Sequence, residues 1–334
     1  MYELLGICVV LSALLTLNAC ASFATAIAWQ VFAPFTLRFS ARTRADILFT
    51  MGIAAPALAA ISVTLFLIPS YLTYEPRSTS EVVSKKLAAL AIISLAGVAF
   101  AFWRAARSWF ATRTLRKEWM AISERIYLPG TTIPTFRIAH RFPIIAVVGT
   151  LRPQLFIAAD VLRSLNKEEL AAAIAHERGH LAARDNFRRT LLRICRDTLF
   201  LVPFGRAVDR VWAETAECAA DEFAAQCSPA TALNLASALV TIAKMVPVGA
   251  RADVPLAAYL VGVAENQGVK ARIRRLIEIA STDVHKGKGN RGPVHRFPLV
   301  SLIGLALFAA LVGSNAKVLI AVHALIERAV SLLC

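Results

Sequence analysis

Five consecutive residues in the middle of the chain, His176-Glu177-Arg178-Gly179-His180, combine two imidazoles and a carboxylate at a spacing that suits metal chemistry. On a helix, residues four positions apart lie on the same face, so both imidazoles can bind one zinc ion. Glu177 can then activate a water molecule on that ion. Gly179 is unfavourable inside a helix, which predicts that another segment approaches closely there. The alternative for these residues is an exposed polar helix face.

A third metal ligand is expected because catalytic zinc commonly has three protein ligands and one open position. Glu217 and Asp221 lie four residues apart in a helical pattern and therefore share a face. We predict Glu217 as the ligand and Asp221 as the acceptor of a hydrogen bond from a zinc-bound histidine. Glu214 and Glu222 compete for the ligand position. The alanines around this cluster favour a closely packed helix over a solvated acidic one.

Asp185 follows the second histidine by five residues and has two possible partners. It orients one of the metal-binding histidines or pairs with Arg188, and we favour the first. His140 is a candidate for stabilising an oxyanion, although nothing in the sequence supports that role specifically. The histidines at positions 285, 295 and 323 are interpreted as surface residues.

The local sequence predicts a short hairpin followed by helices. Residues 142–148 form a β-branched run that ends at Gly149, and 154–157 follow after a turn. Asn166 is the expected N-cap of the helix that carries both histidines. Further helices are predicted at 186–200, 206–226, 229–246 and 267–280.

Four apolar runs without charge are long enough to cross a membrane, at residues 4–37, 47–74, 87–103 and 297–316. The composition agrees, since 57% of the residues are hydrophobic and the mean hydropathy is +0.59. We interpret the first run as an uncleaved anchor, because a signal peptide begins with basic residues and this chain begins with Met1-Tyr2-Glu3. Residues 223–243 are also uncharged but more polar, and we predict a buried or membrane-resting helix there rather than a span.

The net charge of +15 comes from arginines and lysines that flank the apolar runs and fill the large loop between the third and the fourth. This distribution favours an anionic membrane surface over nucleic acid as the partner. Basic residues follow the third run and precede the fourth, so the segment between them is expected in the cytoplasm and the N-terminus outside. The six cysteines show no paired spacing and are interpreted as reduced.

These observations predict an α-helical membrane protein with four transmembrane helices and a cytoplasmic α+β peptidase domain before the last helix. The expected parts are 1–103 with helices at 4–35, 47–72 and 87–103, a domain at 104–296, and a fourth helix with a short tail at 297–334. A flexible linker is expected at 287–293. The localisation implied is a cell membrane, as in a bacterial inner membrane.

The chain resembles the BlaR/MecR family of membrane metallopeptidases, a branch of the gluzincins. The likeness rests on the order of its motifs: three spans, Gly149 to Pro153 with Phe156-Ile157, Glu169-Leu170 before the two histidines, Arg184-Asp185, Glu217 to Asp221, and a final span. The resemblance implies a cytoplasmic zinc peptidase with His176, His180 and Glu217 as ligands and Glu177 as the base. The HtpX-type membrane proteases have the same arrangement of zinc-binding motifs and are the nearest alternative family.

The antibiotic sensors of that family carry a large penicillin-binding domain after the fourth span, whereas few residues follow Ala316 here. Direct β-lactam sensing is therefore not expected, and a signalling role would need a sensor partner. The expected activity is zinc-dependent hydrolysis of peptide bonds in a cytoplasmic or membrane-proximal protein. An inactive zinc-binding scaffold is the remaining alternative, although zinc binding alone does not require Glu177. Binding of substrate as a strand added to residues 144–148 rests mainly on the resemblance.

Overall fold

A computed structural model describes residues 1–77, 83–199, 204–246, 266–283 and 297–333 of the chain. Most of these residues are helical. The helices are α1 (Tyr2–Thr36), α2 (Ala41–Ser62), α3 (Ile68–Tyr74), α4 (Lys85–Ala121), α5 (Ala159–Ser164), α6 (Lys167–Ala183), α7 (Asp185–Asp197), α8 (Phe204–Ala225), α9 (Pro229–Met245), α10 (Asn266–Asp283), α11 (Phe297–Gly313) and α12 (Ala316–Leu333). The strands are β1 (Ser123–Ile126), β2 (Thr135–Ile138), β3 (Ile145–Val148) and β4 (Gln154–Ala158).

Three of the described helices are long and apolar enough to cross a membrane. They are α1 with 35 residues, the continuous helix Ala41–Tyr74 with 34, and α4 with 37. A π-helical segment, Val63–Leu67, joins α2 to α3 within the second of them. Each exceeds the roughly 20 residues that a crossing needs, so each extends beyond the hydrocarbon core. The chain is therefore a membrane protein with long helical extensions.

The helix α4 continues well past residue 103, where the apolar run ends. Alanine, leucine, arginine and lysine follow, and these residues favour helix as strongly as the apolar segment does. Hydropathy marks where a helix leaves the membrane, but it does not mark where the helix ends. The predicted domain boundary at 103/104 thus lies inside one continuous helix.

The fourth predicted span, 297–316, is interrupted in the structure. The helix α11 ends at Gly313, and α12 begins at Ala316 in a different direction. The segments Ala306–Gly313 and Ala316–Leu332 are apolar enough to span only as a pair, and they are bent by 91°. A Cβ atom at Gly313 would lie 2.6 Å from Leu65 O, so this glycine allows α11 to approach the π-helical segment. The fourth crossing stays a prediction.

The four strands form one mixed sheet in the order β1-β2-β4-β3. The predicted hairpin is confirmed as the antiparallel pair β3 and β4, in which Ala146 lies opposite Phe156. The parallel pairing of β2 with β4 and the antiparallel pairing of β1 with β2 were not predicted. Because β3 is at one end of this order, it leaves one side of its backbone unpaired within the sheet.

One face of the core is formed by α6 and α9. Buried residues of both helices join the sheet and α10 in a single apolar cluster that includes Phe156, Ala173, Leu239 and Leu276. The interpretation of 223–243 as a buried segment therefore holds: α8 ends at Ala225, and α9 packs in the core. The predicted linker 287–293 and the basic residues around it lie outside the described residues.

The helix α6 begins with the predicted cap and crosses α8 closely. Asn166 Oδ1 accepts a hydrogen bond from Glu169 N at 2.7 Å, and Glu169 Oε2 accepts one from Asn166 N at 3.0 Å. This capping box satisfies two backbone groups at the helix start. At the crossing, a Cβ atom on Gly179 would lie 3.0 Å from Ala220 Cα and 3.2 Å from Phe223 Cβ. The expected close approach at Gly179 is thus made by α8.

We predict that Gly179→Val destabilises the protein by about 1–3 kcal/mol, because its side chain would force α6 and α8 apart. The measurement is the thermal unfolding midpoint of the full chain in detergent. Gly268→Val is the matched control, since a Cβ atom at Gly268 on α10 meets no atom of the described residues within 4 Å. Equal midpoints for the two variants would contradict the close packing at Gly179.

Candidate metal centre

The two histidines of α6 point their Nε2 atoms toward a common position. His176 and His180 are one turn apart, and their Nε2 atoms are separated by 3.2 Å. His176 is fully buried, whereas His180 is partly exposed. The helical spacing read from the sequence therefore produces a converging pair of imidazoles.

Glu217 completes the group from the neighbouring helix α8. Its Oε2 is 3.6 Å from His176 Nε2, and its Oε1 is 3.6 Å from His180 Nε2. Ligands bound at about 2.0–2.2 Å in a tetrahedral zinc site are separated from one another by roughly 3.3–3.6 Å. The three side chains thus fit a zinc ion in both donor type and spacing, with the two histidines and one carboxylate of a catalytic zinc site.

Two further carboxylates contact the Nδ1 atoms on the other side of the imidazole rings. Asp221 Oδ1 is 2.9 Å from His176 Nδ1, and Asp185 Oδ2 is 2.7 Å from His180 Nδ1. Both aspartates are buried. A carboxylate at Nδ1 fixes the orientation of the ring and increases the basicity of Nε2. The structure thus gives each histidine its own acidic partner, one from α8 and one from the start of α7.

Arg272 of α10 belongs to the site and was missed by sequence reasoning. Its Nε and Nη2 donate hydrogen bonds to Asp221 at 2.8 and 2.7 Å, and its Nη1 is 3.2 Å from Glu217 Oε2. Arg272 is buried and counters the charge of both carboxylates. The sequence contains 37 lysines and arginines, and no spacing distinguishes this one. A buried acidic pair implies a cation, but not which cation.

The other candidate residues lie elsewhere. Glu214 is exposed, and Glu222 accepts a hydrogen bond from Ala41 N at 2.9 Å. His140 Nδ1 accepts a hydrogen bond from Phe142 N at 3.0 Å, and its ring packs against Trp119, outside the site. The histidines at 285 and 295 lie outside the described residues. Glu217 is therefore the carboxylate that the fold places beside both imidazoles.

Burial and the neighbouring charges shift the pKa values of the site residues. Burial raises the pKa of Glu177, which is 6% exposed, above its ordinary value. For Glu217, burial acts in the same direction, but the facing His180 and His176 hold the pKa well below its usual range. For His180, burial lowers the pKa, but Glu217 and Asp185 outweigh it and keep the pKa well above the ordinary value. The site therefore favours a positive charge between the carboxylates.

A cavity of about 420 Å³ opens between the metal centre and the edge strand. Glu177, His180 and Glu217 line one side, and Val147 and Gly149 of the β3 edge line another. Such a cleft beside an edge strand can hold an extended peptide. Glu177 is therefore close to both the metal position and the space for a substrate.

A second group among the described residues also offers metal ligands. Glu75, His323 and Glu327 bring one ligand atom each within 4.8 Å of one another. This group joins the end of α3 to α12 and has no contact with the cavity beside Glu177. The first group is favoured as the catalytic centre because it combines the converging imidazoles, the buried base and the cleft.

Comparison with known proteins agrees with this geometry. Residues 76–273 match the model of the BlaR1 peptidase M56 family. The matched region covers more than half of the chain and contains α4, the sheet, both histidines, Glu217 and Arg272. No curated protein matches the chain. The match confirms the resemblance to BlaR/MecR-type peptidases: the chain belongs to the BlaR1 peptidase M56 family.

Proposed function

We propose that this protein is a membrane-anchored zinc metalloendopeptidase. One observation carries the proposal: the ligand atoms of His176, His180 and Glu217 are separated by the distances expected around a tetrahedrally coordinated zinc ion. Glu177 and a cleft next to the edge strand β3 lie beside them. The family match supports a metallopeptidase. Zinc as the metal rests on the donor set, since two imidazoles and a carboxylate with an open position are typical of catalytic zinc.

A bound zinc ion would supply a Lewis acid and lower the pKa of a water nucleophile. Glu177 accepts the proton from the attacking water and passes it to the leaving amide nitrogen, which completes the cleavage of the peptide bond. Burial raises the pKa of the Glu177 carboxylate, which makes it a stronger base than an ordinary glutamate and so favours proton transfer from water. Asp221 and Asp185 keep the two imidazoles oriented with Nε2 toward the ion.

The cleft favours an extended protein segment as substrate. Ile144 O accepts a hydrogen bond from Ala158 N inside the sheet, so the backbone groups of Ile145 and Val147 face the opposite side. Because Asn186 Nδ2 already donates to Val147 O at 3.0 Å, a substrate strand would pair with the backbone groups of Ile145 and with the N–H of Val147, beside the cleft that Glu177 lines. Substrates are then cytoplasmic or membrane-proximal proteins, because a helix with as many charges as α6 is too costly to place in hydrocarbon.

The contacts at the two ends of the hairpin formed by α1, α2 and α3 support the proposed topology. Tyr71 Oη donates a hydrogen bond to Tyr2 O at 2.7 Å, so the end of α3 lies beside the N-terminus. The other end of this hairpin contacts α8, because Ala41 N donates to Glu222. We propose that the peptidase domain, 104–296, and the α1–α2 turn are cytoplasmic, and that the N-terminus and the α3–α4 connection are outside. The part 297–334 would then carry the fourth crossing.

Alternative functions differ in how they use the same site. The family match favours a BlaR/MecR-type enzyme over an HtpX-type quality-control protease. An inactive scaffold is disfavoured because burying Glu177 is costly and has no purpose without proton transfer. We propose that peptide hydrolysis serves as the output step of signalling when a partner supplies the sensor.

We predict that Glu217→Ala loses most of its bound zinc, because only two of the three proposed protein ligands remain. Glu177→Gln keeps zinc but loses about 10²–10⁴-fold in hydrolysis, because it cannot accept a proton. Zinc is measured by atomic absorption on the purified full chain, and hydrolysis with fluorescein-labelled casein. The exposed Glu214→Ala on the same helix is the matched control and keeps both. Near-stoichiometric zinc in Glu217→Ala would overturn the ligand assignment.

We predict that Arg272→Gln weakens zinc binding by about 10–100-fold, because Asp221 loses the partner that holds it against His176. The same change should destabilise the fold by about 3–5 kcal/mol, since it leaves a buried carboxylate unpaired. Competition with a chelator measures the zinc affinity, and thermal unfolding measures the stability. Arg274→Gln, an exposed position on α10, controls for loss of charge. Unchanged zinc affinity in Arg272→Gln would show that Arg272 has no part in orienting the site.

We predict that position 77, in the connection before α4, and position 113, in the basic extension of α4, lie on opposite sides of the membrane, because basic residues next to a span are retained in the cytoplasm. Single cysteines replace the exposed residues Arg77 and Arg113 in a chain whose native cysteines are removed. A membrane-impermeant maleimide should label position 77 in intact spheroplasts and position 113 only after permeabilisation. Labelling of position 113 in intact spheroplasts would reverse the proposed orientation.

A further inference from the structure

The first turns of the membrane helix α2 are docked on the peptidase helices. Leu48 and Phe49 of α2 pack in one buried cluster with Leu192 of α7 and Trp212 of α8. A Cβ atom at Gly52 would lie only 2.4 Å from Leu192 Cδ2, so α2 and α7 approach closely at this position. This end of α2 is therefore a part of the wall of the peptidase domain.

A buried carboxylate links α2 to the start of α7. Asp46 is 6% exposed and accepts a hydrogen bond from Arg188 Nη1. The guanidinium of Arg188 also lies over the ring of Phe49, at 5.0 Å from its centroid. Arg42, one turn before Asp46, is 3.3 Å from it and 3.8 Å from Asp185. Two arginines thus connect the acidic group of α2 with the first turn of α7.

That first turn of α7 contacts both His180 of the proposed metal centre and the edge strand β3. Asp185 Oδ2 is 2.7 Å from His180 Nδ1 and so orients a metal-binding ring. The next residue, Asn186, donates from Nδ2 to Val147 O at 3.0 Å and to Gly149 O at 3.2 Å, on the edge of β3. Arg184, which precedes the turn, has a left-handed backbone with φ of 53°. The direction of α7 therefore determines the position of His180 and of the substrate edge together.

We propose that Asp46 is a positioning residue through which the membrane helix α2 regulates the metal centre and the β3 edge. Through Arg188 and Arg42, Asp46 fixes the first turn of α7, so a displacement of α2 loosens Asp185 and Asn186 at once. Its significance for catalysis rests on the proposed peptidase function, whereas the coupling itself rests on the contacts of α2 and α7. Sequence spacing could not indicate this link, because Asp46 and Arg188 are distant in the chain.

The test uses Asp46→Asn in the full chain in detergent, a change that keeps the shape of the side chain and removes its charge. The zinc affinity, measured by chelator competition, should fall about tenfold. Changing a residue that orients a metal ligand typically lowers affinity by about 10–100-fold, and Asp46 acts one step further from the ligand. Hydrogen exchange should become faster at 145–149 and 185–188 and stay unchanged in α9. Asp209→Asn is the matched control, because Asp209 pairs with Arg196 at the other end of α7, at 2.6 Å. It should change neither measurement.

Two further variants test the route of the effect. Arg188→Gln should lower the zinc affinity as much as Asp46→Asn does. The double variant should bind zinc no more weakly than either single variant, because both substitutions remove the same interaction. Gly52→Leu should also reproduce it, since it moves α2 from α7 without changing a charge. Additive effects of Asp46→Asn and Arg188→Gln would overturn the route through this pair.

The outcomes separate this proposal from the proposed function. Unchanged zinc affinity and exchange in Asp46→Asn overturn the coupling, even where the wild-type chain binds zinc and hydrolyses casein. Loss of protection in α9 as well would assign Asp46 to folding and overturn its positioning role. If the wild-type chain binds no zinc, the peptidase proposal fails, and faster exchange confined to 145–149 and 185–188 still supports the coupling.

Discussion

The pairing of buried charges where α6, α8 and α10 meet is the constraint on which the site depends. Asp221 is completely buried and receives two hydrogen bonds from Arg272 of α10. Loss of either partner would leave an uncompensated charge in the interior, which is strongly unfavourable. The same carboxylate contacts His176, so the pair that joins α8 to α10 also orients one of the proposed ligand rings. The proposed metal centre can therefore form only when these three helices, which are distant in sequence, are packed together.

The balance of charge favours a cation at this site. Four carboxylates, those of Glu177, Glu217, Asp221 and Asp185, surround one guanidinium and two histidines. Burial lowers the pKa values of His176 and His180, but the facing carboxylates outweigh it and raise both, so the surroundings of the two rings favour positive charge. Binding of a divalent ion there would be favoured as pH rises, because imidazoles must be neutral to bind it. The raised histidine pKa values and the ligand geometry thus have one physical origin.

Local rules predicted the parts of the site that lie on single elements. The spacing of His176 and His180, the shared face of Glu217 and Asp221, and the cap at Asn166 each follow from the geometry of one helix. The hairpin of β3 and β4 was likewise predicted from a β-branched run, a turn and the apolar residues that follow it. Arg272, the β2–β4 pairing and the docking of α2 depend on contacts between distant segments, which periodicity does not encode. The length of α4 was missed because hydropathy reports the solvent around a helix rather than the helix itself.

The family match begins at residue 76, so α2 lies outside it, whereas Asp185 and Arg188 lie inside. A peptidase core of a known family is therefore held, at the turn that orients His180, by a helix of the membrane part of this chain. Membrane helices tilt or shift at modest energetic cost when the bilayer or a neighbouring helix changes. Packed helices move as rigid bodies, so such a shift reaches α7 without deforming α2. A partner that binds the membrane helices can thus act on the metal centre through existing contacts, without entering the cleft.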